Sequence, residues 1–222
     1  GSNGSGALGD GTTTGPRLTP VSVMGITDAV EIRVGSEFAC ARRMNGQVLC
    51  WGSNSYGQLG DGTRLSRLTP VSVMGVTDAV EISVGSRAAC ARRMSGQVLC
   101  WGDNSSGQLG DGSFSEPRLT PVSVMGITDA VEISVGHIAA CARRMNGQVL
   151  CWGSNSSGQL GDGTRLSRLT PVNVMGITDA VEISAGRMAA CARLMSGQVL
   201  CWGSNGGALG DGTTAQRLTP VN

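Results

Sequence analysis

Residues 48–62 read Val-Leu-Cys-Trp-Gly-Ser-Asn-Ser-Tyr-Gly-Gln-Leu-Gly-Asp-Gly, a short strand-forming run that gives way to a glycine-studded loop. The passage returns with few changes at 98, 149 and 199, so that Trp51, Trp101, Trp152 and Trp202 each stand in a Cys-Trp-Gly triplet, 50, 51 and 50 residues apart. A period near 50 residues marks a propeller or solenoid, in which each unit buries its faces against its neighbours.

Upstream of the triplet, Phe38 to Arg43 and Gln47 to Trp51 are strand-like runs around Asn45-Gly46, a strong hairpin signal. Further upstream, Ala29 to Val34 alternates and puts Val30, Ile32 and Val34 on one face. Downstream, Thr69 to Val73 is a last short strand containing Pro70, which lacks a ladder donor and belongs at an edge. Three inner strands and one edge strand make a four-stranded blade. The predicted fold is all-β: a β-propeller-type array of about four blades, as a partial ring or one completed by association. Residues 1–222 form a single repeat array, with a partial repeat of loop and edge strand over 1–21. The four blade repeats run over 22–72, 73–123, 124–174 and 175–222.

These residues resemble the regulator-of-chromosome-condensation repeat. The likeness rests on 48–62 and on the pattern x-Cys-Ala-x4-Gly-x-Val-x-Cys-Trp-Gly at 39–52, and is closest to the bacterial cysteine-bearing form. It covers the whole chain and implies a β-propeller with blades of this length, usually seven to a ring. The family includes a nucleotide exchange factor, a plant ultraviolet receptor and a secreted β-lactamase inhibitor, so the fold does not fix the function. Three departures matter. The His-Thr or His-Ser pair common before the second strand is replaced by Phe38-Ala39, Ala88-Ala89, Ala139-Ala140 and Ala189-Ala190. No copy carries the long inserted wedge of an exchange factor, and none has a loop tryptophan beyond its Cys-Trp-Gly.

Composition narrows the function classes. The 222 residues carry a net charge of +1, with all 17 basic side chains arginine, which gives no electrostatic attraction to nucleic acid. No stretch approaches the length of a membrane span. No leader is visible and the chain does not begin with Met, as a mature, excised or truncated product would read. The segment at 1–11 aligns with 52–62, giving five Leu-Gly-Asp-Gly segments to four Cys-Trp-Gly strands. That excess points to a window from a longer array, to chains associating through open blade faces, or to a small self-closed ring.

The eight cysteines fall into four pairs, Cys40/Cys50, Cys90/Cys100, Cys141/Cys151 and Cys191/Cys201. Counting outward from a three-residue loop at Met44-Asn45-Gly46 puts Cys40 opposite Cys50, within disulfide reach. Four such bridges imply an oxidising compartment and an extracellular or cell-surface home. Zinc prefers closer pairs and four convergent ligands, and buried thiols are the remaining alternative. The tryptophans read as inter-blade packing. Glu31, Glu81, Glu132 and Glu182 read as cross-strand partners of Arg42, Arg92, Arg143 and Arg193, with a carboxylate-lined channel as the sharper alternative. Each Leu-Gly-Asp-Gly loop offers one carboxylate, too few for calcium, so its Asp is expected to cap local amides. His137 occurs in one copy only and has no recurring nucleophile beside it. No cofactor, metal or catalytic site is expected.

The copies differ most in a triplet after the first strand: Ser36-Glu37-Phe38, Ser86-Arg87-Ala88, His137-Ile138-Ala139 and Arg187-Met188-Ala189. Equivalent loops of a propeller gather on one face. Glu37, Phe38, Arg87, His137, Ile138, Arg187 and Met188 are therefore the candidate binding residues, with neutral drift in exposed loops as the competing explanation. A second varied patch comprises Arg64-Leu65-Ser66, Phe114-Ser115-Glu116-Pro117, Arg165-Leu166-Ser167 and Thr214-Ala215-Gln216. The expected function is a non-enzymatic scaffold for a protein or for further copies of itself. A nucleotide-exchange propeller and an enzyme with a central-channel site are the alternatives.

Overall fold

The computed structural model describes residues 1–114 and 116–222; Ser115, part of the second varied patch, lies outside the described residues. The described residues are all-β, with 16 strands in four antiparallel sheets. The first sheet comprises β1 (Ala29–Val34), β2 (Phe38–Arg43), β3 (Val48–Gly52) and β4 (Arg67–Ser72). The second comprises β5 (Ala79–Val84), β6 (Ala88–Arg93), β7 (Val98–Gly102) and β8 (Arg118–Ser123). The third comprises β9 (Ala130–Val135), β10 (Ala139–Arg144), β11 (Val149–Gly153) and β12 (Arg168–Asn173). The last comprises β13 (Ala180–Ala185), β14 (Ala189–Leu194), β15 (Val199–Gly203) and β16 (Arg217–Val221). In each sheet consecutive strands are hydrogen-bonded neighbours, the arrangement of a propeller blade.

The first two strands of the blade lie where alternation and the hairpin signal place them. The fourth starts two residues earlier than Pro70 and its neighbours suggest, because Arg67 pairs opposite Gly52 and its guanidinium reaches Asp61 across the loop at 2.8 Å. It lies at the blade's edge, as a proline-bearing strand must.

The core lies between blades rather than within one. Phe38, Cys40, Val48 and Cys50 of the first blade pack against Ile82, Ala89, Ala91, Leu99 and Trp101 of the second, and the next two seams repeat this. Each seam is clasped by the long loop of the preceding blade. The Trp101 indole donates to the Gln58 carbonyl at 2.9 Å, the Met74 amide to the Gly60 carbonyl at 2.9 Å, and the Gly62 amide to the Leu119 carbonyl at 2.9 Å. Gly60 must be glycine: its φ is +65°, and a Cβ there would meet the Trp101 ring and Val73. Near the axis, a Cβ on Gly35 would press on the Gly85 carbonyl, one on Gly85 on Gly136, and one on Gly136 on Gly186. Gly186 approaches only Ala189 of its own blade, so the series is open.

Both end blades were expected to leave a face bare. At the first, residues 1–11 lie over Trp51 as the other loops lie over their tryptophans, with the Trp51 indole donating to the Ala7 carbonyl at 3.0 Å. Trp51 and Leu49 are therefore buried, whereas every residue of β1 but Glu31, including Val30, Ile32 and Val34, stands exposed.

Candidate functional site

The turn between the first two strands and the start of the long loop meet at one end of each blade. The Ser53 amide donates to the Glu37 carbonyl at 2.9 Å, Asp103 to Arg87 at 3.0 Å, Ser154 to Ile138 at 2.9 Å, and Ser204 to Met188 at 2.8 Å. One backbone bond thus fixes all four variable triplets while their side chains differ.

Ser36, Ser86, His137 and Arg187, from four successive blades, line one recess of about 370 Å3 at the inner ends of the blades. Ser36, Glu37, Ser86, Arg87 and His137 line an adjoining one of about 230 Å3, whose outer wall is Tyr56 and Gln58. Neighbouring triplets touch: His137 Nδ1 lies 2.6 Å from Ser86 Oγ, and the Arg87 guanidinium sits 4.5 Å over the Tyr56 ring. Glu37, Arg87 and Arg187 are exposed, whereas His137, Ile138 and Met188 are half-buried.

Phe38 does not belong to this face. It is 1% exposed and packs into the first seam, against the blade that bears Trp101. The reason is parity. Phe38 lies two residues before Cys40 in β2 and so shares its core-facing side, where the other blades carry Ala88, Ala139 and Ala189.

Sequence reasoning gave His137 no partner, and it missed Tyr56. The serine at 86 was visible in the triplet, but its approach to His137 spans two blades. Tyr56 is the single aromatic where other copies have Ser106 and Ser157. A His–Ser contact alone is not a hydrolytic apparatus, since the imidazole has no hydrogen-bonded carboxylate among the described residues.

Farther out on the same end, Leu65, Phe114 and Leu166 are exposed, and adjacent blades meet through Arg64 and Glu116 at 3.7 Å and through Arg165 and Gln216.

The other recurrent groups are structural. Cys40–Cys50, Cys90–Cys100, Cys141–Cys151 and Cys191–Cys201 are disulfides between directly opposed residues, each with Cα atoms 4.1 Å apart. Arg42 Nε meets Glu31 at 2.9 Å, the expected cross-strand pair, and Glu31 also accepts the Ile82 amide of the next blade at 3.2 Å. Glu81 and Glu132 do likewise with Ile133 and Ile183. Desolvation by burial pushes the Glu81 carboxyl above its ordinary value despite the Arg92 hydrogen bond.

Asp61 accepts from the Thr63 amide at 3.0 Å, Thr63 Oγ1 at 2.8 Å and Asn54 Nδ2 at 3.1 Å, besides Arg67. Burial, the largest single influence, pushes its pKa up; the hydrogen bonds from Thr63, Arg67 and Asn54 together outweigh it and hold the carboxyl below its usual range. Asp111 and Asp162 behave alike. At the ends of the array, the Thr12 hydroxyl foremost lowers Asp10 to about 2, and Arg217 foremost lowers Asp211 to about 2. Among the described residues no cluster of His, Cys, Asp or Glu is placed to hold a metal, and no helix is long and apolar enough to cross a membrane.

A family model described as "Regulator of chromosome condensation (RCC1) repeat" matches residues 45–92, 95–142 and 146–193. A second model of the same description matches 29–58, 79–108 and 130–159. No curated protein matches the sequence significantly. Among solved structures, human WBSCR16 is similar at 21% identity and a TM-score of 0.86, over 99% of this chain and 60% of that one. Prp20p from Saccharomyces cerevisiae, described with its binding to Gsp1p and histones, is similar at 20% identity and a TM-score of 0.81, over 91% of this chain and 52% of that one. The ectodomain of the Physcomitrella patens receptor kinase CR4 is similar at 22% identity and a TM-score of 0.55, over 89% of this chain and 45% of that one. The chain thus spans about half to three fifths of the length of these proteins, and at these identities the likeness is one of fold.

Proposed function

Because the chain belongs to the regulator of chromosome condensation (RCC1) repeat family, we propose that it is a non-enzymatic scaffold that takes a protein partner on the end of the blades where the variable triplets meet. One observation carries the proposal. Side chains of different chemistry, Glu37, Arg87, His137 and Arg187, come from successive, nearly identical blades into adjoining recesses, and one recurrent backbone bond fixes the turn beneath each. Repeat scaffolds build specific surfaces this way, by holding the frame and varying what projects from it. The rim of Leu65, Phe114 and Leu166 adds exposed apolar contact area on the same end, as protein-binding surfaces do.

The four disulfides support an oxidising, non-cytosolic environment, and we place the protein outside the cell or at its surface. The exchange-factor reading is weaker, because all four copies keep nearly the same length and none carries a long inserted wedge.

The test compares partner capture by two variants. One replaces Glu37, Arg87, His137, Ile138, Arg187 and Met188 with alanine or serine and leaves Phe38 alone. The other replaces the exposed hairpin methionines Met44, Met94, Met145 and Met195 with serine. The proposal expects the first to lose an extracellular protein partner that wild type and the second retain. Equal capture by both variants would place the site elsewhere.

A further inference from the structure

The recess bordered by Tyr56 and Gln58 differs from the corresponding places at the later seams. Arg87 gives way there to Ile138 and Met188, and Tyr56 to Ser106 and Ser157. At the first seam the lining is polar and joins three successive blades: Glu37 and Tyr56 come from the first, Ser86 and Arg87 from the second, and His137 from the third.

Three donors in this lining lack a good acceptor. The Arg87 guanidinium sits 4.5 Å over the Tyr56 ring, and among the described residues it has neither an ion pair nor a hydrogen bond. Arg92 and Arg93 of the next strand, by contrast, each hold a carboxylate, at 2.7 Å and 2.8 Å. Stacking fixes the plane of the guanidinium and leaves its N–H edge available. His137 meets the Ser86 hydroxyl through Nδ1, and its Nε2 has no partner among the described residues. Gln58 is 3% exposed, and its Nε2 finds only Ser53 Oγ at 3.5 Å, too long for a good hydrogen bond. In Gln108 and Gln159, at the same position of later copies, that nitrogen is buried with no partner at all. A buried amide donor in this state calls for an acceptor.

We propose that this recess takes the carboxylate of an acidic side chain, Asp or Glu, presented by the protein partner. Arg87 is its ion-pair donor, and Gln58 and His137 supply further hydrogen bonds. The inference rests on the reading of this face as a protein-binding surface and adds what the partner must bring to it. A carboxylate fits better than a neutral group, because the unsatisfied donors include a cation whose planar fork matches two carboxylate oxygens. The recess, about 230 Å3, suits a single side chain. Glu37 borders it too, and also lines the neighbouring recess with Ser5 and Ala7. As a like charge at the margin, Glu37 opposes what Arg87 favours, so the two residues act on the same ligand with opposite sign.

The only histidine and the only tyrosine of the chain both border the recess, so the ring signals of His137 and Tyr56 in proton NMR are resolved reporters of its occupancy. The probe is N-acetyl-L-glutamate N-methylamide, a lone acidic side chain between two peptide groups, and its neutral glutamine counterpart is the control. At fixed pH and ionic strength the acidic probe is expected to shift both signals saturably, with a dissociation constant on the order of 10 mM. The glutamine probe is expected to leave them in place. Arg87→Gln should weaken binding at least about tenfold, and Glu37→Gln should tighten it about twofold or more. Arg64→Gln, which changes the net charge equally at the outer rim, should alter binding less than about twofold. The substituted side chains are exposed, and circular dichroism verifies each fold. Absence of a shift with the acidic probe, equal shifts with both probes, or equal weakening by Arg87→Gln and Arg64→Gln would each overturn the inference. The titration needs no partner, so its failure strikes the carboxylate alone, whereas capture by the six-residue variant tests the face itself.

Discussion

One oxygen of Glu81 accepts the Ile133 amide of the following blade at 3.2 Å while the other takes the guanidinium of Arg92, in its own blade, at 2.7 Å. A single carboxylate therefore closes a cross-strand ion pair and a seam between blades. Both of its partners lose their acceptor if it is removed, and neither regains full access to water.

Glu81→Ala should accordingly destabilise the fold by about 1–3 kcal/mol, the cost of leaving partly buried donors unsatisfied. Glu182→Ala, at the same strand position but 61% exposed and paired with Arg193, should cost no more than about 0.5 kcal/mol, because an exposed ion pair contributes little. Urea denaturation under non-reducing conditions measures the contrast. Equal losses would show that the in-blade pair, not the bond across the seam, is what matters.

Phe38→Ala should cost about 3–5 kcal/mol, as for a large buried aromatic removed from a packed core. Ile138→Ala, at a half-buried position of the variable face, should cost well under half of that. The same denaturation curves give both numbers, and hydrogen exchange should place the loss in the seam between the first two blades.

Stability should fall as pH drops from about 4 towards 2. Asp10, Asp61, Asp111, Asp162 and Asp211 are all held below their ordinary values in the fold. The unfolded chain therefore binds the more protons over this range, and stability rises with pH. Glu81, raised by burial, works in the opposite sense: its contribution declines as pH rises through its folded value, one group against five. Tryptophan fluorescence during acid titration follows the transition. Replacing Asp61, Asp111 and Asp162 with Asn should lower stability at neutral pH and flatten the acid limb.

Intact mass should rise by about 8 Da on reduction, two hydrogens for each of four bridges. Cys191–Cys201 should be reduced first, because both its cysteines are partly exposed while the other three pairs are buried. Losing a bridge that closes so short a loop should cost about 2–3 kcal/mol. Timed alkylation and peptide mapping give the order.

Much of this was legible in the sequence, for local reasons. The hairpin count around Asn45-Gly46 put Cys40 opposite Cys50, and the tryptophan period gave the blades. Phe38 was misplaced on the variable face although its parity with Cys40 was in plain view; variation between copies was taken for exposure. The second partner of each seam glutamate, the Gln58 carbonyl under Trp101 and the covering of Trp51 by residues 1–11 were not legible. Each joins positions 43 to 52 residues apart, and copies that agree with one another reveal nothing about which neighbour a group faces.

The loop that reaches forward from each blade overlaps its neighbour as one roof tile overlaps the next. Any cut through one copy, rejoined at the same point of another, would restore every clasp, cystine and seam from residues already in the sequence. Duplication or loss of a whole unit therefore changes how many blades the chain has without creating a junction that natural selection must repair. The triplet of each added unit then begins as a duplicate and can diverge alone, so array length and surface chemistry can evolve independently.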